Sequence, residues 1–257
     1  MPRIDTGRVN LFYEDAGSGG VPVLLLHELG GSTESWAAVT PLLATDRRMI
    51  AADLRCAGRS EKPPGAFSLE DAADDLDGLL RGLNLERVDV IGAALGSLVG
   101  ALLAIRHPAR VRRLMMCAVA PKMAGATSIY VSDRAAKVRV VGMRGVAEAS
   151  LANSFASHPA ERAAYLGIYL GNDPAAYAEL SLALGRLELG AADWGAIRAP
   201  TLVASGAHDF LWPPPIGREV AALVPGARFE TMEDAGHFPH LQAPGTVARL
   251  ARGFFDA

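Results

Sequence analysis

Val88-Asp-Val-Ile-Gly-Ala-Ala-Leu-Gly-Ser-Leu-Val-Gly-Ala-Leu-Leu103 is the stretch that decides the fold. Val88, Val90 and Ile91 form the short apolar, β-branched run that a buried parallel strand needs. Gly92-Ala93-Ala94-Leu95-Gly96 then makes a sharp bend, and an apolar run without breakers continues to Arg106 as a buried helix would. This is a strand-to-helix elbow of the form small-x-nucleophile-x-small, in which small residues permit a strained turn that lifts one side chain into a cleft. The lifted position is Ala94, and an alanine methyl cannot attack an electrophile. Ser97 lies one helical turn further on and is expected to face a neighbouring element instead.

Working outward, apolar strands alternate with helical patterns on both sides. Residues 23–27 read as a central strand, ending in the loop Glu28-Leu29-Gly30-Gly31 before Ser32 caps a helix carrying Trp36, Val39, Leu42 and Leu43. Residues 48–53 are the next strand and 54–67, with Gly58, Pro63, Pro64 and Gly65, a loop. Ser68 to Asp71 opens a helix with a capping-box-like pattern, and Leu76, Leu79, Leu80 and Leu83 recur at helical spacing. Residues 111–119 are another strand. Residues 9–14 are expected to be a half-exposed strand that Gly17 to Gly20 turns back as a hairpin.

From 121 to 198 the strand pattern disappears, and helical stretches follow around 134–144, 146–156, 161–170 and 175–189. Alternation resumes with a strand at 201–205, a helix at 216–223, a strand at 228–232 and a closing helix at 246–255. The expectation is an α/β fold with a mostly parallel, doubly wound sheet. Residues 1–120 and 199–257 would form its core, and 121–198 an inserted helical cap.

A chain of 257 residues suffices for one such domain with an insertion, and its 50% hydrophobic content excludes a disordered chain. The formal charge of -3 gives no basis for a nucleic acid or an anionic membrane as partner. The N-terminal residues lack the apolar core of a signal peptide, and no apolar run reaches the ~18 residues that a membrane span needs. Cys56 and Cys117 have no metal-ligand spacing and are expected to be reduced, in a cytoplasmic protein. No ligand-spaced His/Cys cluster occurs and no G-x-G-x-x-G follows a strand, so no metal and no organic cofactor is expected. The expected partner is a small-molecule substrate, and the oligomeric state is not readable.

Five motifs in register resemble the α/β-hydrolase fold along nearly the whole chain, in the branch near the enol-lactonases and aminoacrylate hydrolases. They are the elbow Gly92 to Gly96, His27-Glu28-Leu29-Gly30-Gly31, the loop Asp53-Leu54-Arg55-Cys56-Ala57-Gly58-Arg59-Ser60, Gly206-Ala207-His208-Asp209, and Asp234-Ala235-Gly236-His237-Phe238-Pro239. The order nucleophile, acid, base is the one described for this fold. The resemblance implies Asp209 as the acid that orients His237, and His237 as the base. It also implies that the backbone N–H groups of Leu29 and Leu95 form an oxyanion hole.

Trp36, Met123 and Trp212 could line the pocket, and so could Glu28, which stands where the family has glycine and either points away or binds something polar. His27, Arg55 and Ser60 are expected to hold loops together. His208 and His240 are expected to pack or lie at the rim, and His107 and His158, each before a proline, to punctuate helices. Cys56 and Ala57 replace the usual Gly-x of the third motif.

Three functions remain open at this point. The chain is a small-molecule hydrolase whose serine was exchanged for alanine, or a natural enzyme in which His237 activates water directly against a labile ester, lactone, amide or carbamate-like bond. The alternative is a hydrolase-fold protein that binds a ligand without converting it.

Overall fold

The structure, a computed structural model, describes residues 2–123, 126–156 and 158–257. Its strands in chain order are β1 (Arg3–Asp5), β2 (Asn10–Ala16), β3 (Val23–Leu26), β4 (Met49–Ala52), β5 (Val88–Ala93), β6 (Val111–Cys117), β7 (Thr201–Gly206) and β8 (Arg228–Met232). They form one sheet in the order β1-β2-β4-β3-β5-β6-β7-β8. Pairing is antiparallel from β1 to β2 and from β2 to β4, and parallel everywhere else. The fold is thus α/β with a mostly parallel sheet.

β3, β4, β5 and β7 are buried at every residue, as strands covered on both faces must be. In β3 the alternation sorts side chains to the two faces. Leu24 and Leu26 join one core with Leu76, Leu79 and Leu98, whereas Val23 and Leu25 join another with Trp36, Val247 and Phe254. The helices that supply these layers are α1 (Thr40–Leu43), α2 (Leu69–Gly82), α3 (Leu95–Arg106), and, after the second half of the sheet begins, α8 (Pro214–Leu223), α9 (Pro239–Gln242) and α10 (Pro244–Phe255). Ser68 caps α2 by accepting from the Asp71 amide while the Asp71 side chain accepts from the Ser68 amide.

Between β6 and β7 lie α4 (Ala126–Leu151), α5 (Pro159–Leu170), α6 (Pro174–Gly185) and α7 (Ala191–Gly195). Gly142, at φ 68° and ψ 178°, breaks α4 into two helical pieces, near the boundary that the sequence places between 144 and 146. Of these, α4, α5 and α6 pack around a core of Val138, Val146, Phe155, Tyr165, Tyr169 and Tyr177, to which Phe238 is added from the sheet's loops, whereas Trp194 of α7 joins the core that holds Leu76 and Leu98.

The hairpin expected at 9–14 does not form. β2 pairs with β1 and β4, with Ile4 opposite Leu11 and Glu14 opposite Ala51. β3 has parallel partners on both sides, so neither of its edges is free for β2. The polar residues of β2 suit an outer position instead, where Arg48 reaches Asp15 at 2.7 Å. The parallel strands end at one edge of the sheet, and the loops after β3, β5, β7 and β8 gather there, where ligands of open α/β sheets bind.

Candidate active site

The elbow between β5 and α3 holds Ala94 at φ 48° and ψ −110°, a conformation that costs an L-residue roughly 1–3 kcal/mol. Its N–H donates to the Cys117 carbonyl at 2.8 Å and its carbonyl accepts from Ser97 at 3.0 Å, so the turn is pinned on both sides. The flanking glycines are required by close approach. A Cβ on Gly92 would collide with the Gly96 carbonyl, and one on Gly96 with the Leu26 carbonyl of the neighbouring strand. Ser97 is fully buried, its hydroxyl 2.8 Å from the Gly92 carbonyl and 2.9 Å from that of Cys117. It holds the elbow from below and does not line the cleft.

Behind the elbow, the loops after β7 and β8 bring Asp209 to His237. The His237 Nδ1 lies 2.9 and 3.0 Å from the two Asp209 oxygens. Asp209 also accepts the amides of Leu211 and Trp212, each at 2.9 Å. Burial would raise the Asp209 pKa, but the His237 charge, its hydrogen bond and the two amides outweigh it and hold the carboxyl below its usual range. Among the described residues His237 Nε2 has no protein partner. The ring is bracketed by Trp212 and Phe238, with centroids 5.2 and 4.8 Å away. Gln242 fixes the histidine loop, its Oε1 accepting from Gly236 and Phe238 and its Nε2 donating to the Ser154 carbonyl.

Ala94, Leu95, Leu29, Met123, Trp212 and His237 all line one cavity, completed by Phe210, Leu211, Phe238 and, from the helical segment, Tyr130, Val131, Arg134, Ser150, Ser154 and Leu184. Its void is about 520 Å³ including the open mouth, and the enclosed part is much smaller. That is room for a few waters, or for the reacting end of a small ligand. Neither the Leu29 nor the Leu95 amide has an acceptor among the described residues.

Glu28 and Trp36, both offered by the sequence as pocket residues, do not line this cavity. Glu28 is fully buried in a separate cluster, where Oε1 accepts from Ser35 at 2.9 Å and Oε2 lies 2.8 Å from His240 Nε2. Burial alone would raise its pKa, but the charge and hydrogen bond of His240 pull it down to about 2. A lone carboxylate in an apolar cleft would lose its hydration without return, so it turns to the histidine. Gly31 makes room for it, since a Cβ there would strike the Glu28 carboxylate. Trp36 belongs to the core on one face of the sheet and stacks on His240, with centroids 4.7 Å apart.

The remaining candidates have structural partners. His27 Nδ1 lies 2.7 Å from the Glu28 carbonyl, and its Nε2 accepts from the Leu54 amide at 3.1 Å. Ser60 donates to the Asp53 carbonyl, and Arg55 forms a buried ion pair with Asp75. His208 is exposed. Cys56, at φ 63°, adopts the backbone that favours glycine, and burial pushes its thiol up to about 11. Among the described residues no group of three His, Cys, Asp or Glu side chains could hold a metal, and no helix is long and apolar enough to cross a membrane. Nothing in the local sequence singles out Arg134, Tyr130 or Phe210. They sit in segments whose apolar and polar residues follow no single face, and only the packing of α4 over the sheet edge brings the first two to the cavity.

A family model described as alpha/beta hydrolase fold matches residues 21–244. The 2-hydroxymuconate semialdehyde hydrolase of Pseudomonas sp. (strain CF600) is 40% identical over 113 residues, 42% of this chain and 39% of that protein. A 2-hydroxy-6-oxo-2,4-heptadienoate hydrolase of Pseudomonas putida is 37% identical over 114 residues, 43% of this chain and 41% of that protein. The chain therefore spans about two-fifths of the length of these two relatives. Among solved structures, the enol-lactonase from Burkholderia xenovorans LB400 superposes with a TM-score of 0.92 at 28% identity, covering 100% of both chains.

Proposed function

Because the chain belongs to the α/β-hydrolase fold family, we propose that it hydrolyses a small molecule with an activated acyl bond, using water and not a side chain as nucleophile. One observation carries this reading: His237, oriented by Asp209, and the methyl of Ala94 line the same cavity. In this reading His237 is the base, and Ala94 offers no covalent nucleophile.

In this reading a water takes the space above the Ala94 methyl that a longer side chain would fill. His237 Nε2 accepts a proton from that water as its oxygen bonds to the carbonyl carbon, and Asp209 stabilises the imidazolium. The carbonyl oxygen becomes an oxyanion facing the Leu29 and Leu95 amides, which have no other acceptor among the described residues. Collapse breaks the bond to the leaving group, which takes the proton back from His237. Without a covalent intermediate the barrier is not divided into two smaller ones, so the substrate must be labile of itself, as an enol ester, strained lactone or carbamate is. The helices of 121–198 act here as a cap that closes the cavity and excludes bulk water.

The test is a panel of lactones, enol esters and carbamates assayed with the unaltered chain and with His237→Ala. Turnover of at least one labile member, lost in His237→Ala, is expected. Saturable binding without product would instead assign the protein to ligand binding. A second reading is supported by the strain at Ala94, since a φ of 48° serves a projecting side chain better than a methyl. There the chain is the inactive form of a serine hydrolase, and Ala94→Ser produces acyl-enzyme chemistry on ordinary esters.

A further inference from the structure

The Leu29 amide belongs to the peptide that joins Glu28 to Leu29, so whatever holds Glu28 also aims that donor. The peptide is trans and planar, and its N–H therefore points away from the Glu28 carbonyl. That carbonyl is held twice. The Gly31 amide donates to it at 3.0 Å, and His27 Nδ1 lies 2.7 Å away. Because His27 Nε2 accepts from the Leu54 amide, the neutral imidazole carries its proton on Nδ1 and donates it to the carbonyl. With the carbonyl fixed on one side of the peptide, the Leu29 N–H is left on the other, without an acceptor among the described residues.

A third hold comes from 212 residues away. Glu28 Oε2 lies 2.8 Å from His240 Nε2 while Oε1 accepts from Ser35 at 2.9 Å, and both Glu28 and His240 are fully buried. Trp36 stacks on the imidazole, and α9 places that imidazole three residues after His237. Stability alone does not account for such a pair. Two ionisable groups taken out of water lose so much hydration that apolar side chains of similar size commonly hold a core as well or better. Hydrogen bonds add what apolar packing lacks, which is direction. They fix Glu28 in rotation as well as in place, against the same segment that carries the base. The glycine that the family has at this position offers no such handle.

We infer that Glu28 and His240 are positioning residues, which hold the Leu29 amide in fixed register with His237 so that oxyanion donor and base act on one carbonyl. The inference rests on the hydrolytic reading above and adds to it two residues that touch no substrate. An oxyanion donor is effective only where it is aimed before the charge develops, and a small displacement of it is costly. The sealed pair supplies that aim from behind the Glu28–Leu29 peptide, and His27 and Gly31 supply it from the side.

The test replaces the pair by apolar side chains of similar size, Glu28→Met together with His240→Leu, and follows the backbone amides by NMR relaxation. In the unaltered chain Leu29 and Leu95 are equally ordered, with order parameters of about 0.85. The double variant keeps its unfolding midpoint, yet the Leu29 order parameter falls toward about 0.6 while that of Leu95 stays. On a labile lactone its kcat falls about 10–100-fold with KM within about two-fold, as the loss of an interaction made only in the transition state requires. Glu28→Gln keeps an oxygen that accepts from His240 and retains kcat within about three-fold of the unaltered chain. Should the double variant not fold, Ser35→Ala removes one anchor of the carboxylate and loosens Leu29 by a smaller step, again without Leu95. The inference is overturned if Leu29 stays as ordered as Leu95, or if it loosens with no fall in kcat. It is overturned also if Glu28→Gln loses as much as the double variant, since charge and not placement would then matter. An unaltered chain that turns over no labile substrate overturns the hydrolytic reading, and the relaxation data still decide whether the pair holds the Leu29 amide.

Discussion

Two histidine–carboxylate pairs have their histidines three residues apart, one in the loop after β8 and one in the short helix α9 that follows it, and they do different things. His237 pairs with Asp209 at 2.9 Å and lines the cavity, its second nitrogen without a protein partner among the described residues. His240 pairs with Glu28 at 2.8 Å, and both side chains are completely sealed from solvent. Pair chemistry and distance are nearly the same. Access differs, and access decides whether an imidazole can exchange a proton with a substrate or only hold two loops together. The sealed pair ties the loop before Leu29 to the loop that carries His237, so it braces the ground on which the open pair stands.

Removing His237 breaks the comparison from the catalytic side. His237→Ala is expected to lower turnover of a labile lactone by about 10²–10⁴-fold, the usual share of a positioned general base, with little change in unfolding midpoint. Equal losses of turnover in a folded His240→Ala protein would erase the distinction between the two pairs. On the stability side the ranking reverses. Glu28→Ala leaves His240 buried without its partner and should cost about 3–5 kcal/mol in urea unfolding, several times the effect of His237→Ala.

The pH dependence sharpens the same contrast. The folded pKa of Glu28, about 2, lies below its ordinary 4.5, so its contribution is fully present above about pH 4.5 and is lost as the pH falls toward 2. That contribution is about 3 kcal/mol. Unfolding free energy measured between pH 5 and 2 should fall by that order in the unaltered chain and be flatter in Glu28→Gln. An equal slope in both would place the acid sensitivity elsewhere. The smallest effect is expected at the elbow, where Ala94→Gly relieves a strained φ and should raise stability by about 1 kcal/mol. A loss of that size would mean that the methyl contributes more by packing than the backbone loses by strain.

Much of the sheet was legible in the sequence because buried parallel strands are short apolar runs, and 23–27, 48–53 and 111–119 say so without reference to anything distant. The elbow was legible because Gly92 and Gly96 are demanded by contacts that a Cβ would break. The pairing of β2 was not, since its partner is chosen by which sheet edges remain free after the parallel strands have paired. Glu28 shows the same limit within the site. Its position next to Leu29 is plain from the sequence, but its direction depends on His240, 212 residues away, and on the space left by Gly31. Arg134 was invisible for the same reason: a charged residue on a helix acquires meaning only from the cavity over which the helix is laid.

The most direct test of the central claim, hydrolysis by His237-activated water without an acyl-enzyme, is quenched-flow kinetics on a labile enol ester with intact-protein mass measured at each time point. The account predicts linear product release from the first turnover, no covalent adduct, and no product with His237→Ala. A burst equal to the enzyme concentration, or an adduct of acyl mass on any side chain, would contradict it.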